Sequence, residues 1–207
     1  MIIYTSDHGE LLGEYGMIGH NHIACPELVY VPTTLIHHEI EPGVSDKLLS
    51  NVDIFPTIID TLGYSQIDSL DGMSAFSEAE REYAYNYYLT WFYQTPWFNK
   101  LDRVVHSVWG SQGGHSKTET TRIEGLLIWL AILLKSPKGK HIRRTKSYKQ
   151  SFRMFQPGWR KFATPEFDIP EAKSIINKLK ETTDNPVEFK KTLDRDQKEQ
   201  LEDLGYL

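Results

Sequence analysis

The sequence predicts an α/β fold: a mixed sheet with flanking helices, present in part, followed by a smaller C-terminal α+β subdomain. Three observations lead to this. Residues 2–5, Ile-Ile-Tyr-Thr, form a short apolar run with β-branched members that ends on polar residues, the pattern of a buried strand. A second apolar run at 28–36, interrupted at Pro32, follows a loop punctuated by Gly13, Gly16 and Gly19. Residues 50–62 then carry helix signals: Asn51 or Asp53 as a cap, Pro56 in the first turn, and Gly63 as the stop. A β-loop-β-α order suits the edge of a mixed or parallel sheet carrying helices on its faces.

The remaining elements belong to the smaller subdomain. Residues 83–89 and 103–109 are rich in aromatic and β-branched side chains and read as strands. Residues 170–181 and 194–204 read as short amphipathic helices, separated by a break at Asn185-Pro186. The boundary between the two parts is placed at 76/77, giving 1–76 and 77–207.

Composition narrows the function classes. The 207 residues are 40% apolar and 25% charged, ordinary for a globular protein. A formal charge of -5 argues against general nucleic-acid binding, and no nucleic-acid motif is present. A single cysteine excludes an internal disulfide framework. With no visible signal peptide or spanning segment, it gives a weak cytoplasmic expectation.

The chemistry concentrates where the first strand stops. Asp7 and His8 lie side by side ahead of Gly9, and side chains at a strand's end project into a crevice. A carboxylate and an imidazole there make half of a metal site. Adjacent residues on a regular strand point to opposite faces, so sharing one ion requires a turn between them, which Gly9 permits. The competing reading makes Asp7 a helix cap and His8 a solvated loop residue.

The flanking motifs favour the metal. Thr5-Ser6-Asp7-His8-Gly9-Glu10 with Leu12-Gly13-Glu14-Tyr15-Gly16, Pro26-Glu27-Leu28-Val29-Tyr30-Val31-Pro32, the run 52–63, Leu70-Asp71-Gly72-Met73-Ser74 and the ending Gln200-Leu201-Glu202-Asp203-Leu204-Gly205-Tyr206-Leu207 together resemble the sulfatase family of the alkaline phosphatase superfamily. The resemblance implies a metal-dependent hydrolase of sulfuric, or phosphoric, esters. It implies Asp7 and His8 as metal ligands and His20 as the group facing the ester, where many sulfatases carry a lysine. The family usually holds calcium through oxygens, often with asparagine at the position of His8; an imidazole there suits manganese or zinc better. That departure leaves a phosphodiesterase or phosphoglycerol-transferase relative open. The family's nucleophile motif, Cys/Ser-x-Pro-x-Arg, has no counterpart, because Cys25 is followed by Pro26-Glu27-Leu28-Val29. The chain is therefore expected to be a C-terminal portion of a longer protein, missing the N-terminal half of the catalytic domain and inactive alone. The implied partner is a sulfated or phosphorylated small molecule or glycan.

Lesser candidates have plainer readings. His22 belongs to the surface or supports the ligands, Glu10 and Glu14 face water or orient the histidines, and Cys25 is a small buried filler. His115, after Gly113-Gly114, is a weak substrate-binding candidate. The aromatic residues Tyr83, Tyr85, Tyr87, Tyr88, Trp91, Phe92, Tyr93 and Trp97 form a packed β-core or a sugar-stacking wall. Residues 125–165 contain no Asp or Glu: nine apolar residues, too few to span a bilayer, precede ten Lys and Arg interleaved with aromatics. Three readings stand: a buried helix with a solvated basic face, contact with an anionic membrane surface, or an anion-binding wall.

Overall fold

The computed structural model describes residues 1–20, 23–64, 70–92 and 101–183. The chain divides into compact units at 1–176 and 177–207, and of the second only 177–183 is described. The expected helix at 194–204, the break at Asn185-Pro186, the terminal motif, His22, Tyr93 and Trp97 lie outside the described residues.

The first strand forms as expected: β1 (Ile2–Tyr4) pairs antiparallel with β4 (Thr34–Ile36), Ile3 opposite Leu35. Between them lie β2 (Leu11–Leu12) and β3 (Ile18–Gly19), a small antiparallel pair, and α1 (Pro26–Val29). The expected strand at 28–36 thus splits, because Pro26 opens a helical turn that its fixed φ favours. After a 3-10 turn at Asn51–Asp53, α2 (Ile54–Thr61) runs to a left-handed Gly63, and a capping box between Ser50 and Asp53 sets its start.

A four-stranded antiparallel sheet makes up the rest, in the order β5 (Ala84–Phe92), β6 (Leu101–Gly110), β7 (Gly113–Glu119), β8 (Gly158–Ala163). Between β7 and β8 come α3 (Arg122–Lys135), α4 (Pro137–Thr145) and α5 (Tyr148–Phe155), and α6 (Ile169–Thr183) follows β8. Thr121 and Glu124 close a capping box at the start of α3.

Both faces of this sheet are covered, and β6 shows why. Successive side chains alternate faces, so Val105 and Trp109 join one core while Val108 joins another. The first core gathers Leu11, Met17, Ile23, Cys25 and Leu28 with Ile128, Ile132, Ile142, Phe155 and Phe162. It fastens the segment around β2, β3 and α1 to the α3–α5 side of the sheet. Tyr30 strengthens the join by donating its hydroxyl to the Gly110 carbonyl at 2.6 Å. The second core packs Val108 with Phe167, Ala172 and Ile176.

The apolar run after Gly125 is a core helix: Ile128, Ile132 and Leu133 of α3 are buried. Among the described residues, no helix is long and apolar enough to cross a membrane. Of the aromatic run, four side chains are described. Tyr83 and Tyr85 pack on the second core and Tyr88 on the first, while Tyr87 is half exposed.

Candidate metal and anion site

Past β1 the chain makes a tight bend, and local hydrogen bonds hold it. The Ser6 hydroxyl donates to the His8 carbonyl at 2.7 Å, and the His8 N–H donates to Asp7 Oδ1 at 3.0 Å. The Gly9 N–H donates to the Leu28 carbonyl at 3.0 Å. A Cβ at Gly9 would stand 2.1 Å from the Glu27 carbonyl oxygen, so only glycine lets the bend dock on α1.

The β2–β3 pair then brings the chain back. Leu11 stands opposite Gly19, which returns His20 to Glu10. His20 Nδ1 meets Glu10 Oε1, and the His8 and His20 rings lie 4.2 Å apart between centroids. Ligand atoms of His8, Glu10 and His20 all fall within 4.8 Å of one another. Asp7 borders this group, with Oδ2 3.5 Å from His8 Nε2. Its side chain is 82% exposed, and the His8 N–H holds its carboxyl below the usual range.

The tautomer of His8 follows from its partner. His8 Nδ1 lies 2.9 Å from the Gly9 carbonyl, which only accepts, so Nδ1 carries the hydrogen. In the neutral ring the lone pair is then on Nε2, the atom nearest Asp7. Glu10 fixes His20 through Nδ1 in the same way, the usual carboxylate support of a working imidazole.

A fourth group arrives from α4. Lys138 lies over Gly19 so closely that a Cβ there would be 3.0 Å from both Cε and Nζ, with Glu10 Oε2 at 3.8 Å. Burial pushes the ammonium's pKa down, and the charge of Glu10 partly offsets that.

His115 does not join this group. It is buried on β7, where Nε2 lies 3.0 Å from the Phe167 carbonyl and the ring packs edge-on against Phe167 and Trp159. It borders a shallow cleft walled also by Lys161, Glu166, Asp168 and Ile169. His37 and His38 sit with Glu39 just after β4 as a separate partly exposed cluster.

Residues 1–64 match the family model described as Sulfatase. The match is confined to that first segment of the chain. Over 218 aligned residues it is 28% identical to the low-salt glycan biosynthesis sulfotransferase Agl7 of Haloferax volcanii, covering 100% of this chain and 52% of the relative. The chain thus spans about half the length of the curated relative it matches. A crystal structure of a candidate sulfatase from Bacteroides thetaiotaomicron is similar over 75% of this chain and 40% of that one, at 15% identity and a TM-score of 0.46.

The segment that matches the Sulfatase model contains Asp7, His8, Glu10 and His20, but Lys138 falls outside it. Glu10, read from sequence as facing water or orienting a histidine, does orient one. Lys138 was visible in the sequence only as one member of a basic run, because nothing local ties it to Gly19. Cys25 is a fully buried filler whose thiol burial pushes up, the reverse of an activated nucleophile.

Proposed function

We propose that this chain supplies part of the metal-dependent site of a sulfatase-type enzyme acting on sulfuric esters of glycans. The convergence of His8, Glu10 and His20, with Asp7 against the same His8 imidazole, is the observation that carries this reading. The imidazole of His8 beside the carboxylate of Asp7 is a donor pair for manganese or zinc rather than for calcium, which takes six to eight oxygens. Asp7 and His8 hold the ion, with His8 locked in the Nδ1–H tautomer by the Gly9 carbonyl. A divalent ion there would supply Lewis-acid polarisation of a sulfuryl oxygen. His20, turned by Glu10, faces the ester: protonated, it meets anionic oxygens, and it can pass its Nε2 proton to the leaving oxygen.

The sulfotransferase name of the Haloferax relative supports a glycan substrate and favours a second reading of the same site. In it, the sulfuryl group passes to an acceptor hydroxyl instead of water. A phosphodiesterase or phosphoglycerol-transferase chemistry remains the alternative that the imidazole ligand suggests.

Calorimetric titration of the purified chain with Mn²⁺ and Zn²⁺ tests the metal. One ion should bind, His8→Ala should abolish binding, and His20→Ala should spare it. Loss of binding in His20→Ala as well would move His20 into the ligand set. The protein from its native source, assayed on sulfated sugars and on phosphodiesters, tests the chemistry. Sulfate release marks hydrolysis, sulfate appearing on an added sugar marks transfer, and turnover of phosphodiesters alone would overturn the sulfuric-ester reading.

A further inference from the structure

We propose that Lys138 is the cation that binds the anionic oxygens of the ester in this site, supplied by α4 from outside the segment that matches the Sulfatase model. The inference rests on the reading of the site given above and names one more residue for it.

Three observations converge. The first is position: Lys138 Cε and Nζ lie against Gly19, the residue before His20. Gly19 has a φ of 81°, and a side chain there would occupy the space the lysine uses. The second is the state of the charge. The ammonium is partly buried, and among the described residues it makes no hydrogen bond or ion pair, although Glu10 is near. Glu10 instead gives Oε1 to His20. A desolvated cation without a close partner gains from an incoming anion what it lost on burial. The third is the surrounding field. Lys140, Arg143 and Arg144 are exposed on α4 and Lys135 at the end of α3, and 125–165 itself carries no acid, so this stretch attracts anions although Glu10 lies opposite Lys138.

The alternative is a lysine whose stem merely covers Gly19 while its head is solvated. Lys138→Met separates the two, because methionine keeps the apolar stem and removes only the charge. The probes are inorganic sulfate and a sulfated monosaccharide, titrated calorimetrically into metal-free protein at low ionic strength, together with a thermal melt without ligand. We expect the melting temperature of Lys138→Met to match that of the unmodified chain while affinity for both probes falls about tenfold. Lys138→Arg should retain most of the affinity. Unchanged sulfate affinity in Lys138→Met, or no sulfate binding by the unmodified chain, would overturn the proposal. The metal titration on the same Lys138→Met protein reads the wider reading separately: intact Mn²⁺ or Zn²⁺ binding with sulfate affinity unchanged removes Lys138 alone, whereas loss of metal binding from the unmodified chain removes the metal site.

Discussion

Arg81 clasps Asp53 with both arms of its guanidinium, Nε donating to Oδ2 at 2.8 Å and Nη2 to Oδ1. The carboxylate is almost fully buried and also accepts the backbone N–H of Ser50 at 2.8 Å and of Met73 at 2.9 Å. One side chain thus starts α2, holds the turn at 70–74 and anchors the approach to β5. Replacing Asp53 with Asn keeps the shape but leaves Arg81, itself only 16% exposed, without its counter-charge. Removing one partner of a buried pair costs about 3–5 kcal/mol. Urea denaturation of Asp53→Asn should show a loss of that order, and an unchanged midpoint would contradict the role given to the pair.

The same carboxylate gives a pH dependence with a definite sign. Burial alone would raise its pKa, but the hydrogen bonds from Arg81, Met73 and Ser50 outweigh burial and hold it below the ordinary value. A folded pKa below the unfolded one means the stabilisation is complete above about pH 4 and is lost as pH falls through the folded value. Melting curves taken downward from pH 7 should therefore show the gap between the unmodified chain and Asp53→Asn closing only below about pH 4. A gap that closed near neutrality would point to a histidine instead.

What the sequence disclosed, and what it hid, follows from the range of the interactions. β1, β5, β6 and the helix after Ser50 were legible because their periodicity or caps are local. β7 was not: Gly-Gly-His-Ser-Lys-Thr-Glu has little strand propensity, and its conformation comes from pairing on both sides with β6 and β8. Gly114 illustrates this, since a Cβ there would be 2.4 Å from the Trp109 ring, a contact made only across the strands. In the candidate site, Asp7, His8 and His20 stand out by residue type and spacing. Lys138 reaches Gly19 only because the first core docks α4 beside β3.

Arg103 presents the opposite case to Asp53. It is 1% exposed, and no carboxylate meets it among the described residues. Nη2 reaches the Met154 carbonyl and, at 3.4 Å, the Thr118 hydroxyl, while Nε and Nη1 have no partner. The guanidinium lies 4.9 Å from the Phe155 ring centre. Burial lowers its pKa to about 9, with the charge of Arg160 pushing the same way. A buried charge this poorly compensated carries a desolvation penalty that an apolar side chain of similar length would not. Arg103→Met should raise the melting temperature. A fall would mean that the bonds to Met154 and Thr118 outweigh the desolvation.

Gly9 offers the most direct test of how the fold positions the site, because the effect requires no change in the ligands themselves. A methyl group there would stand 2.1 Å from the Glu27 carbonyl oxygen, so the bend carrying Asp7 and His8 must lift away from α1 and stretch the Gly9 N–H bond to Leu28. Overpacking of this kind costs about 1–3 kcal/mol. Gly43 provides the control, since a Cβ there meets nothing within 4 Å, and Gly43→Ala should change stability by less than about 0.5 kcal/mol. Metal affinity makes the comparison sharper. If Asp7 and His8 hold the ion only while the bend is docked, Gly9→Ala should weaken Mn²⁺ or Zn²⁺ binding at a temperature where the chain is still folded, and Gly43→Ala should leave it intact. Equal affinities in the two variants would show that the ligands reach the ion without the docked bend, and the link from fold to site would have to run through β2 and β3 alone.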